Sequence, residues 1–174
     1  MRKLTKKYFI FLIQFPIILI LDQWTKYLIV SNFKLGESIN IIDYFFNLTY
    51  VRNRGAAFGM LSNLSPNFRD PLFIFIPIIV LIIIGIIFIR IKPHQVLIAV
   101  SLTLIMGGAI GNLIDRLKYG YVVDFLDFHW KATYHWPAFN VADSCIVIGV
   151  GFMFIESLLE GKQSTNNSLD KPLG

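Results

Sequence analysis

PLFIFIPIIVLIIIGIIFI, residues 71–89, is nineteen consecutive residues without a charge, closed by Arg90. The hydrocarbon core of a bilayer takes about 20 apolar residues of helix to cross, so this stretch reads as a transmembrane helix. The signature recurs on both sides of it. Toward the C-terminus a short IKPHQ turn leads into an apolar run from Gln95 to Leu113, and a last run extends from Pro137 to Leu159. Proline suits the first turn of a helix, so Pro137 is expected to open that span. Toward the N-terminus the run 8–30 follows the basic start MRKLTKK. That start has the outline of a signal peptide, but no A-x-A-like cleavage site follows, and the segment is taken as a retained helix.

The whole chain fits a membrane protein. Its 174 residues make one domain, 55% are hydrophobic and only 16% are charged; mean hydropathy is +0.62. These values argue against a soluble globule. A net charge of +5 would suit nucleic acid, yet the basic residues cluster at the ends of the apolar blocks, as topology signals do. No nucleic-acid-binding motif accompanies them, so no nucleic-acid partner is expected. Cys145 is the only cysteine, which excludes an internal disulfide; beside Ser144 on an apolar stretch it reads as a small buried residue. The end GKQSTNNSLDKPLG, residues 161–174, is polar and reads as a disordered tail.

Four spans place both termini on one side. Lysine and arginine divide evenly, eight to each face, so the dense RKLTKK cluster beside the first span decides, and both termini are expected in the cytoplasm. The outer loop 31–70 is not linker-like. Its stretch FFNLTYVRNRGAAFGML, residues 45–61, is rich in aromatic and β-branched residues and reads as short strands joined by a turn, lying against the membrane surface. The expected fold is membrane all-α: four transmembrane helices, with a small extracytoplasmic β-structure from the first outer loop.

The polar residues of the spans gather at one depth. Asp22 and Lys26 are four apart on span one, hence on one helix face. Asn112, Asp115 and Arg116 share a face at the outer end of span three, and Asn140, Asp143 and Ser144 do so at the start of span four. Asp143 is six residues past Pro137, roughly 9 Å along a helix that begins there. An ionisable group inside a span costs about 2.5–3.5 kcal/mol, which marks a functional site by default. Two carboxylates brought together share a proton, the equipment of an aspartic hydrolase. Asp124, in YGYVVDFLDFHW, follows a turn and is one candidate for the second; Asp115 and Asp127 are others.

Each feature has a plainer reading. Asp22 with Lys26 makes an interfacial ion pair, and Asp115 reads as structural at a helix end. Asp127 and His129 read as surface residues. GGAIG, residues 107–111, is a GxxxG pattern for a close helix crossing, and Trp24, Trp130 and Trp136 fit an interfacial aromatic belt. A transporter is disfavoured because the charges stop halfway across the membrane. A non-catalytic scaffold stands as a further alternative. No Ser–His arrangement and no H-E-x-x-H supports another protease type.

Five blocks carry a specific likeness: LDQWTK (21–26), VRNRGAAFGML (51–61), GGAIGNLIDR (107–116), VVDFLDF (122–128) and FNVADS (139–144). In this order, on a four-span chain, they resemble bacterial lipoprotein signal peptidase (signal peptidase II), an aspartic peptidase family, up to about Glu160. The resemblance implies an endopeptidase of the bacterial cytoplasmic (inner) membrane, with its active site near the outer leaflet. Its substrates would be diacylglyceryl-modified prolipoproteins, cut before the lipidated cysteine. It implies Asp124 and Asp143 as the catalytic pair, with Asp22, Lys26, Asn53, Asn112, Arg116 and Asn140 holding the site or contacting substrate. It implies a β-cradle from the outer loop, contact with membrane lipid, inhibition by globomycin-type peptides, and no metal or other cofactor.

Overall fold

The computed structural model describes residues 5–55, 65–131 and 134–169. Among these, four helices are long and apolar enough to cross a membrane: α1 (Lys6–Asn32), α2 (Pro66–Arg90), α3 (Val96–Tyr119) and α4 (Val141–Leu169). Half of the most apolar window of α3 is buried, against 11% for each of the others, so α3 is the axis on which the rest pack. The sequence of α3 makes this possible. A Cβ placed on Gly107 would come 2.9 Å from the Ile18 side chain of α1, and one on Gly108 would run into the Ala142 carbonyl of α4. On α4, Gly149 allows the reciprocal approach to the Ser101 carbonyl. Small residues at crossings bring helix backbones together where lipid supplies no hydrophobic drive. By contrast α2 leaves Ile79, Ile82, Ile83 and Ile86 exposed, the surface of a helix that meets lipid on most sides.

The helix ends depart from the apolar runs for identifiable reasons. α2 starts at Pro66 rather than Pro71, with polar residues in its first turn, because a preset φ lets proline open a helix whatever the hydropathy of that turn. α3 continues through Asp115 and Arg116 to Tyr119 and stops at Gly120, whose φ of 73° makes a left-handed cap. α4 does not begin at Pro137. Phe139 is paired with Leu126, its N–H donating to the Leu126 carbonyl at 3.1 Å and its carbonyl accepting from Leu126 N at 2.8 Å; that commits the approach to extended backbone, and the helix starts at Val141. Asp143 therefore lies in the first turn of α4, not two turns in. At its other end α4 runs on to Leu169, so residues 161–169, expected to be a disordered tail, continue the helix. Each added residue contributes one hydrogen bond to an already nucleated helix.

At one end of the bundle β1 (Ser38–Ile42), β2 (Phe46–Asn53) and β3 (Val122–Trp130) form an antiparallel sheet, extended by the short β4 (Tyr134–His135) beside β3. The first loop supplies only β1 and β2; the third strand comes from the segment between α3 and α4. Residues 56–61 of the expected strand-rich stretch lie outside the described residues. In the β2–β3 register Val51 faces Asp124, Arg52 faces Val123 and Asn53 faces Val122. Alternation sends Tyr50, Val123 and Phe125 to one face, where they form a core with Ile29 of α1. Asp124 and Asn53 take the other face. At the opposite end of the bundle, Lys7 Nζ donates to the carbonyls of Phe88, Ile89 and Ile91 at 3.1, 2.8 and 2.9 Å. A cation there satisfies carbonyls that α2 leaves without intrahelical partners.

Candidate active site

Asn140 sits at the cap position before α4. Its Oδ1 accepts from Asp143 N at 2.9 Å while Asp143 Oδ2 accepts from Asn140 N at 3.2 Å. This reciprocal pair is a capping box with aspartate in the usual glutamate position, and it fixes the Asp143 side chain at the helix start. The Asn140 amide nitrogen then reaches across to Asp124 Oδ1 at 2.8 Å. One asparagine thus touches both aspartates.

Asp124 is carried by β3 and almost fully buried. Its second oxygen accepts from Asn53 Nδ2 of β2 at 3.0 Å, and Asn53 Oδ1 in turn accepts from Gly55 N at 2.9 Å. Burial pushes the Asp124 carboxyl up to about 7, the nearby Asp143 adds to the rise, and the Asn53 and Asn140 amides oppose it. Asp124 follows the turn at Gly120 on a strand, whose pairing with Val51 of β2 and the Phe125 N–H bond to the Phe139 carbonyl hold the backbone that carries it.

Asp143 Oδ1 accepts from Asn112 Nδ2 of α3 at 2.7 Å. The orientation of the Asn112 amide is set from behind, because its Oδ1 accepts from Lys26 Nζ at 2.9 Å and from Asn140 Nδ2 at 3.1 Å. Lys26 also pairs with Asp22 at 2.9 Å and Asp115 at 3.0 Å, all three side chains being buried. A cation between two carboxylates, with further hydrogen bonds on each, meets the conditions for a tolerable buried ion cluster. Those further bonds tie elements together: Asp22 Oδ1 accepts from Ala142 N of α4 at 3.0 Å, and Asp115 Oδ2 from Val123 N of β3 at 3.0 Å.

The structure brings all eight sequence-assigned residues into one region. Asp124, Asp143, Asn53, Asn112 and Arg116 line a cleft of about 960 Å³. Asn140, Asp22 and Lys26 stand behind it, linked through the contacts above. Arg116 Nη2 donates to the Gly55 carbonyl at 2.9 Å, and its guanidinium lies 4.5 Å from the centre of the Phe73 ring of α2. Asp115 lies outside the cleft lining and belongs to the same network through Lys26, Gln23 and Val123. Asp127 accepts from Asn47 at 3.2 Å on the sheet and lies outside the cleft lining.

Gln23 was missed. Its Nε2 donates to Asp22 Oδ2, Asp115 Oδ1 and the Gly111 carbonyl at 3.1, 3.0 and 3.2 Å, bridging α1 and α3 under the catalytic candidates. Its only signal was its place inside LDQWTK; nothing in helical periodicity assigns it a partner ninety residues away.

The site can hold two carboxyl groups at one cleft, each fixed by amide donors and neither directly paired with a cation among the described residues. A family model described as signal peptidase (SPase) II matches residues 15–159. A Geobacter sulfurreducens protein described as lipoprotein signal peptidase is 48% identical over 145 residues, covering 83% of this chain and 89% of that protein. A Geobacter metallireducens protein of the same description is 46% identical over 161 residues, covering 92% and 98%. A solved bacterial membrane enzyme superposes with a TM-score of 0.77 at 36% identity, covering 97% of this chain and 94% of its own.

Proposed function

The chain belongs to the signal peptidase II family, and from that premise we propose that it cleaves diacylglyceryl-modified prolipoproteins just before the lipidated cysteine, using a water activated between Asp124 and Asp143. It is a multi-pass membrane enzyme of the lipoprotein signal peptidase type. The observation that carries the mechanism is the convergence of two carboxyl groups on one cleft under separate amide control.

Peptide hydrolysis needs a nucleophilic water, a polarised carbonyl and a protonated leaving amine. A carboxyl that keeps its proton near neutrality can hydrogen-bond the scissile carbonyl, and Asp124, raised to about 7, supplies one. Asp143 takes the proton from water, and the proton of the pair passes to the amine as the tetrahedral intermediate collapses. The two titrate as a unit. Asn112 and Asn140 aim the carboxylates; Asn53 holds Asp124; Arg116, with its planar guanidinium fork, binds substrate carbonyl oxygens. Asp22 and Lys26 support the site from behind. No metal or other cofactor enters the scheme.

The membrane setting follows. The sheet end faces away from the cytoplasm and both termini lie in it, so the cleft meets a diacylglyceryl group held in the outer leaflet of the cytoplasmic membrane. Globomycin-type peptides inhibit by occupying the cleft. Purified Asp124→Asn and Asp143→Asn variants should each lose cleavage of a lipidated precursor by 10³-fold or more while remaining folded, the scale expected when an essential acid–base group is removed. Near-normal cleavage by either variant overturns the assignment.

A further inference from the structure

The face of the sheet turned away from Asp124 ends in a row of cations laid on tyrosines. Arg52 Nε donates to the Tyr50 hydroxyl at 3.0 Å, and its guanidinium lies 4.7 Å from the Tyr121 ring centre and 5.4 Å from that of Tyr50. Tyr121 stacks on Tyr119 with centroids 5.7 Å apart, and Lys118 Nζ lies 4.8 Å over the Tyr119 ring. The row therefore runs Arg52, Tyr121, Tyr119, Lys118, joining β2 to the end of α3. Arg52, Lys118 and Tyr119 are exposed. Among the described residues neither cation makes an ion pair. Asp115 is engaged by Lys26, and Glu37 Oε2 accepts from Lys34 N at 2.7 Å.

The depth of the row is set by the helix that ends in it. Lys118 and Tyr119 are the last two residues of the α3 span, where a membrane helix passes from hydrocarbon to headgroups. Apolar side chains at the same ends of these helices, Leu117 of α3 and Tyr27 and Val30 of α1, are exposed and offer acyl chains a surface. Exposed Lys34, just past α1, adds charge of the same sign. Tyrosine rings favour this interfacial level, and a guanidinium resting on two of them is held in place with its outer N–H groups still open.

We infer that the Arg52–Tyr121–Tyr119–Lys118 row is a binding site for the phosphate headgroup of an anionic phospholipid, starting at the rim of the cleft, which Arg52 also lines, and running from there along the end of α3. Charge complementarity selects the anionic lipid over a zwitterionic one, and the neighbouring apolar surface selects a lipid over a free phosphate. The inference rests on the chain spanning a membrane and not on its peptidase chemistry.

The test uses the full chain in neutral detergent, with native mass spectrometry of lipid retention from equimolar phosphatidylglycerol and phosphatidylcholine. Each basic residue near an anionic surface is worth about fivefold in binding. Wild type should therefore prefer phosphatidylglycerol, and an Arg52→Gln/Lys118→Gln double variant should lose about 25-fold of that preference. Arg52→Lys, which keeps the charge, should retain most of it and serves if the double variant does not fold. Glycerol phosphate, which has no acyl chains, should not displace the lipid at millimolar concentration. Equal retention of the two lipids by wild type, an unchanged preference in both Arg52→Gln and Lys118→Gln, or displacement by glycerol phosphate overturns the inference.

Discussion

Asp124 accepts from two amides that favour its charge, in a burial that favours its proton, and burial prevails. An unfolded aspartate titrates near 3.9. With the folded value raised to about 7, the folded state holds the extra proton between those limits. This group therefore opposes stability increasingly as pH rises from about 4, and its full cost, on the order of 4 kcal/mol, is present above about 7. Activity should fall with the loss of the same proton: kcat/KM against pH should show a basic limb near 7, and a profile flat to pH 9 contradicts the scheme. Asn112 offers a second residue-scale prediction. Asn112→Leu removes the donor to Asp143 and an acceptor of Lys26, leaving buried polar groups short of a partner. Such losses cost about 1–3 kcal/mol each, so the thermal midpoint should drop and cleavage should fall 10-fold or more. Asp22, Lys26 and Asp143 could be read from the sequence, because a charge inside an apolar run needs a reason, whereas Asn53 and the choice of Asp124 came from the family blocks. Their partners could not be read: Asn140 touching both aspartates depends on α4 starting four residues later than its proline suggested.

Among the elements, α3 is where sequence and packing coincide most closely. GGAIG reads as a crossing motif, and its glycines meet α1 and α4 as that reading requires. The contacts are specific enough to predict. Gly108→Ala should lower the thermal midpoint by several degrees and reduce activity, since its Cβ would press on the Ala142 carbonyl at the start of α4. Gly85→Ala, on α2 with nothing within 4 Å of the new Cβ, should leave both unchanged or raise the midpoint slightly, alanine being the better helix former. A matched response of the two variants in a melting experiment would contradict the central place of α3. The sheet was harder to foresee. The first loop announced strands by composition, but β3 hides in VVDFLDFHW, where consecutive buried residues, Asp124 among them, interrupt simple alternation.

Among the described residues, the cleft, the sheet and the ion cluster occupy one end of the bundle, while Lys7 at the start of α1 and the α2–α3 turn occupy the other. Reporter fusions should follow that polarity: a cytoplasm-dependent reporter active after Lys92 and an export-dependent one active after Lys131. The reverse pattern would invert the proposed topology. Four spans, their approximate limits and the family were determined by the sequence alone, and Asp143 and Asp124 were marked by it as candidates, because apolar runs, isolated charges and short ordered motifs are local properties of the chain. Tertiary structure decided which strand completes the sheet, where α4 begins, and how Lys26, Asn112 and Asn140 join into one network. Those outcomes depend on hydrogen-bond partners that lie up to 120 residues apart, and a buried donor or acceptor finds its partner only once the helices have packed.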